Sequence, residues 1–155
     1  MKTALLILSS TSPTPMALSR ALERCKAEGA KLVAALVTDP EVAEGLSRRA
    51  MSSGFLGEGV SKMINTALEE DDNLRIDACL RSVRETAEQA GIACETTEAE
   101  GRFAPTVLRL VGECQADLII IAREQRSLLA RLLFGSPINE LRKVPDLDLE
   151  VINET

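Results

Sequence analysis

Histidine, tryptophan and tyrosine are absent from these 155 residues, and phenylalanine occurs three times. Without histidine there is no Ser-His or Cys-His pair to activate a nucleophile. The four cysteines, Cys25, Cys79, Cys94 and Cys114, form no Cys-x-x-Cys pair. Zinc clusters built from Cys and His at short spacing are therefore not expected. So few aromatics leave little to stack on bases. A net charge of −6 is also the reverse of a nucleic-acid binder's basic footprint, so no nucleic-acid partner is expected. No apolar run approaches the ~20 residues of a membrane helix. The opening run at residues 4–8 is shorter than the ~7–15 residues of a signal peptide's apolar stretch. The expectation is a cytoplasmic protein with no membrane partner.

Residues 1–155 are long enough for one domain with one sizeable core, and 45% apolar residues supply it. Ala4, Leu5, Leu6, Ile7 and Leu8 form a run without alternation, as a strand buried on both faces does. Ala17, Leu18, Ala21, Leu22 and Cys25 recur at helical spacing, and Gly29 stands where a C-cap falls. Residues 32–37 predict a second buried strand, stopped by Thr38, Asp39 and Pro40. Residues 41–73 contain Gly45, Gly54, Gly57 and Gly59, and predict an irregular or mobile insertion. Four acids in a row at 69–72 are expected to form a solvated patch.

Leu74, Ile76, Cys79, Leu80, Val83 and Ala87 trace a helical stripe ended by Gly91. Residues 92–97 read as a third strand, more polar and nearer an edge. Phe103, Val107, Leu108, Val111 and Cys114 mark another helix, with Pro105 in its first turn. Residues 117–121 give the strongest strand. Ile138, Leu141 and Val144 give a last helix. Leu147, Leu149 and Val151 then alternate with Asp148, Glu150 and Ile152 as a half-buried strand. Cys25, Cys79 and Cys114 occupy apolar helix positions, where buried free thiols are expected.

Strands alternating with helices imply β-α-β units, hence a parallel sheet with helices on both faces. Ligands of such sheets bind beyond the carboxyl ends of strands, where strand order reverses. The loops at residues 9–12, 37–40 and 122–136 are expected to converge there. The last loop leads through Gly135, Ser136 and Pro137 into a helix, the arrangement in which backbone N–H groups face an anion. Ser136 is equally a good N-cap and Pro137 a good first helical residue, which explains the sequence without any ligand. Residues 122–143 carry Arg123, Arg126, Arg131, Arg142 and Lys143 against Glu124 and Glu140, a positive stretch in an acidic chain. Arginine there could hold an anion in place of glycine backbone, or the charges lie on a solvated face.

On these residues the whole chain resembles a universal stress protein. Residues 2–11 resemble the family's opening strand, 36–40 its second strand end, and 91–122 its strand-helix-strand segment. Residues 126–136, RSLLARLLFGS, resemble its signature stretch before the last helix. The resemblance implies a cytoplasmic homodimer with a five-stranded parallel sheet. Its last strand, here residues 147–152 with Leu147 and Ile152 at the ends, pairs across the dimer. ATP-binding members carry Gly-x-x-Gly, nine residues, then Gly-Ser or Gly-Thr. This chain has Ala122 and Gln125 at the first two positions and keeps Gly135 and Ser136. Such members end the first strand on an acid, where Ser9 stands here. Val37 matches the valine whose backbone meets the adenine. A side chain at Gln125 opposes the left-handed dihedrals and close approach that glycine allows.

Three functions are weighed. The leading one is a dimeric stress-response protein that acts through a protein partner, holds no tight ATP and needs no cofactor. The alternative is an adenine-nucleotide switch with ATP at Val37, Gly135 and Ser136, Arg123 or Arg126 on phosphate, and Ser9, Ala122, Gln125 and Pro137 around it. The third, a weak phosphohydrolase, lacks a readable acid–base pair, so no catalytic residue and no metal ligand is assigned.

Overall fold

The computed structural model describes residues 2–11, 13–38, 58–124, 141–144 and 147–154, with the backbone alone for 58–72 and 124. Five strands form one sheet: β1 (Thr3–Leu8), β2 (Lys31–Thr38), β3 (Cys94–Glu100), β4 (Leu118–Glu124) and β5 (Asp148–Glu154). Their order is β3-β2-β1-β4-β5, and every pairing is parallel. Between them run α1 (Pro15–Glu28), α2 (Glu58–Gln89) and α3 (Phe103–Cys114). Leu141 and Arg142 are also helical. The sheet is the five-stranded parallel α/β architecture expected above.

The apolar runs explain the layering. All six residues of β1 are buried, as a central strand covered on both faces requires. Ala4, Leu6 and Leu8 join one apolar layer with Leu32, Ala34, Leu36, Leu118 and Ile120. Onto that layer pack Ala17, Ala21 and Cys25 of α1 and Ile76, Leu80, Val83 and Ala87 of α2. Leu5, Ile7, Val33, Ala35, Ile119 and Ile121 form the opposite layer, beneath Phe103, Val107 and Leu110 of α3 and Leu141. Each Leu or Ile buried in full contributes about 1.5–3 kcal/mol. The chain winds from β1 through β2 to β3 on the first face, then α3 crosses back to β4 on the other. Strand order therefore reverses between β1 and β4.

Local signals end the helices. Gly29 is left-handed at φ 64°, and its N–H bonds back to the Cys25 carbonyl. Gln115 adopts the same region at φ 52° after α3, the one non-glycine residue to do so among those described.

Four expectations need correction. Residues 58–73, read as part of an irregular insertion, belong to α2. Past Gly59 that stretch holds neither glycine nor proline, so nothing breaks a helix there. Residues 41–57 lie outside the described residues. The third strand runs to Glu100, beyond the expected residue 97, because β2 supplies a ladder as far as Thr38 opposite Glu100. The last strand runs to Glu154. Finally, Cys25 is buried but Cys79 and Cys114 are half-buried, since they flank their helices' apolar stripes.

Candidate functional site

The carboxyl edge of the sheet brings several sequence-predicted residues together. Leu8 lies opposite Leu36, and Ile7 opposite Ile121. Carrying both registers one or two residues further sets Ser9 level with Val37 on β2 and Arg123 on β4. Ser9 and Arg123 are half-buried, and Val37 is buried in full. Val37 thus offers the edge only its backbone, which is the part the family resemblance assigns to adenine. Ala122 is also buried, 1% exposed, with its methyl in the α1/α2 layer. Gln125, Arg126, Gly135, Ser136 and Pro137 lie outside the described residues.

On β2, Thr38 holds the neighbouring turn. Its carbonyl accepts the Gly101 N–H at 2.9 Å, and its hydroxyl donates to the Ala99 carbonyl at 3.4 Å. Gly101 has φ 149°, and a β-carbon there would lie 2.6 Å from Oγ1 of Thr106. Only glycine fits this turn without displacement.

Beside the edge, β5 and α1 are joined by charge. Asp148, Glu150, Ile152 and Glu154 share one face of β5 by strand alternation, and that face meets α1. Arg24 bonds Asp148 at 2.7 Å and Glu150 at 3.1 Å. Arg20 meets Glu150 through Nε at 3.1 Å and Nη2 at 2.9 Å. Bonding to Glu150 raises the Arg20 pKa, and bonding to Asp148 raises that of Arg24, so both remain charged at any relevant pH.

Glu154 completes this ladder. It is 7% exposed, and its carboxylate accepts the N–H groups of Ala17 at 2.6 Å and Met16 at 3.3 Å. These are donors of the first turn of α1, which an N-cap side chain usually satisfies. Thr14 holds the N-cap position and makes no side-chain cap bond. Pro15 has no N–H to offer, and the Leu18 N–H reaches the Thr14 carbonyl at 3.0 Å. Every N–H of this first turn is engaged within the chain. Sequence reasoning missed Glu154, Arg20 and Arg24. The i,i+4 pair of arginines on α1 and the alternate acids of β5 were the available signal.

Three of the four thiols are poor nucleophiles. Burial pushes Cys25 and Cys94 up to about 11, and raises Cys114. All three are protonated near neutral pH and so unreactive. Among the described residues no group of three His, Cys, Asp or Glu side chains could hold a metal ion. None of the described helices is long and apolar enough to cross a membrane. The described part of the edge holds the half-buried Ser9 and Arg123 and the backbone of Val37.

A parallel α/β sheet with its reversal between β1 and β4 defines a class of fold that binds ligands at that edge. The universal stress protein family matches residues 1–146, and the chain belongs to that family. Among curated proteins none matches it in sequence. Three solved structures share the fold. A universal stress protein in complex with cAMP is 20% identical, with a TM-score of 0.61 over 99% of this chain and 98% of its own. The universal stress protein UspA from Lactobacillus plantarum is 15% identical, with a TM-score of 0.64 over 99% and 97%. The universal stress protein from Archaeoglobus fulgidus in complex with dAMP is 15% identical, with a TM-score of 0.59 over 98% and 98%.

Proposed function

We propose that this universal stress protein is a cytoplasmic homodimer that regulates through a protein partner, without tight ATP binding and without turnover. The observation that carries the reading is Ala122. Its side chain packs in the α1/α2 layer, and β4 continues as paired strand through Glu124 opposite Glu154. A phosphate-binding glycine at that position would leave the backbone open to a ligand; here it is sheet and core. The first turn of α1 offers no second anion site, because no N–H remains free there.

The dimer is proposed through β5, which is an edge strand. Its acids on the α1 face are neutralised by Arg20 and Arg24, which lowers the charge an approaching strand meets. Light scattering is expected to give twice the 16.7 kDa chain mass.

Calorimetric titration of ATP with magnesium is expected to show no saturable heat, and freshly purified protein to release no nucleotide on denaturation. Micromolar binding would overturn the reading. The double variant Ala122→Gly/Gln125→Gly is expected to gain affinity.

A second reading is an adenine-nucleotide switch. The common level of Ser9, Val37 and Arg123 favours it, and solved relatives carry cAMP and dAMP. Gly135→Glu is expected to abolish binding if this reading holds.

A further inference from the structure

A groove of about 520 Å³ opens between the first turns of α1 and one flank of α2. Ser9, Val37, Ala122 and Arg123 do not line it, although Thr11 of the 9–12 loop does, so it adjoins the edge described above without sharing those four residues. Its size lies within the ~300–1,000 Å³ typical of small-molecule sites.

The apolar part of the lining is Pro15 and Leu18 of α1 and Ala78 and Val83 of α2, of which Val83 is buried, Leu18 half-buried and Pro15 and Ala78 exposed. Around that wall stand hydroxyls of Thr14 and Ser82. Neither hydroxyl makes a hydrogen bond among the described residues. Thr14 is spared because Glu154 takes over its capping role. Arg75 is the one charged residue among the described residues of the lining. It has no ion-pair partner among the described residues, unlike Arg20 and Arg24, which are held by acids. Among the described residues no carboxylate lines the groove.

We infer that this groove binds a small amphipathic carboxylate, with its apolar body against Leu18, Ala78 and Val83 and its head on Arg75. A guanidinium pairs with a planar carboxylate through two parallel N–H bonds, and the hydroxyls serve the remaining lone pairs. An apolar wall with a single cation at its margin selects against neutral and cationic ligands of the same body.

The test uses the full chain with decanoate, held below its micellar concentration, and decanol as the uncharged match. Titration followed by amide chemical shifts is expected to saturate with decanoate and to move Leu18, Ala78 and Val83. Arg75→Gln is expected to weaken decanoate about tenfold, the loss of one charge-assisted pair, and to leave decanol unchanged. Ala78→Phe fills the groove and is expected to block both. Arg75 and Ala78 are exposed on α2, so both variants should melt at the wild-type temperature, and this is checked by circular dichroism. The inference is overturned if decanoate gives no saturable shifts, or if Arg75→Gln binds it as wild type does. It is equally overturned if the shifts follow protein concentration instead of ligand, which would assign the groove to a second copy.

Discussion

Glu154 caps a helix 137 residues earlier in the chain. No local pattern could announce that, because the contact depends on β5 reaching the start of α1. A carboxylate buried and bonded to two N–H groups is costly to remove, since both donors lose their acceptor. Glu154→Ala is expected to lower stability by about 1–3 kcal/mol in urea unfolding. Glu154→Gln keeps an oxygen acceptor and should lose less. Equal losses would show that the charge, and not the oxygen acceptor alone, carries the contribution. Gly101 makes a second residue-scale case. Gly101→Ala places a β-carbon against Thr106 Oγ1 in a backbone region that side chains avoid. A loss of about 1–3 kcal/mol is expected. Adding Thr106→Ala should return only the steric part, because the dihedral strain stays, and a double-mutant cycle separates the two.

At the scale of elements, burial decided what the sequence disclosed. β1, β2 and β4 are legible because both faces are covered and their runs are almost wholly apolar. β3 and β5 are edge strands, and their acids hide where pairing stops: Glu100 and Glu154 continue ladders that polarity seemed to end. The α2 start was obscured by glycines and serines upstream of it. The positions of Ser9, Val37 and Arg123 at strand ends were legible, whereas the α1–β5 ladder needed the sheet order. That ladder carries its own prediction. Arg24 bridges Asp148 and Glu150 with its side chain 19% exposed. Arg24→Ala is expected to destabilise by about 1–3 kcal/mol at low salt, as hydrogen bonds to charged groups are lost. Part of the wild-type advantage should fade in high salt, because Asp148 is half-exposed and screened. A salt-independent difference would assign the role of Arg24 to packing of its stem.

For the whole molecule, what the chain lacks shapes its response to pH. No histidine titrates near neutrality and no tyrosine near pH ~10. The alkaline window is thereby left mainly to thiols and exposed lysines. Cys25 and Cys94 are pushed from an ordinary 9.0 up to about 11 by burial. Such a thiol is protonated in both states below pH 9, so its burial is then fully favourable. Between pH 9 and 11 it ionises in the unfolded chain alone, and unfolding gains accordingly. For Cys25, which is 1% exposed, the loss is on the order of 2–3 kcal/mol by pH 11. Cys94 is half-buried and should lose less. Urea midpoints are therefore expected to stay nearly level across neutral pH and to fall from pH 9 to 11. Cys25→Ala should start lower, through the lost thiol packing, and fall less steeply. A wild-type curve that stays flat to pH 11 would mean that Cys25 ionises as readily in the folded chain as in the unfolded one. That outcome would also open the α1/α2 layer to solvent at its Cys25 end, against the packing around β1 on which the fold rests.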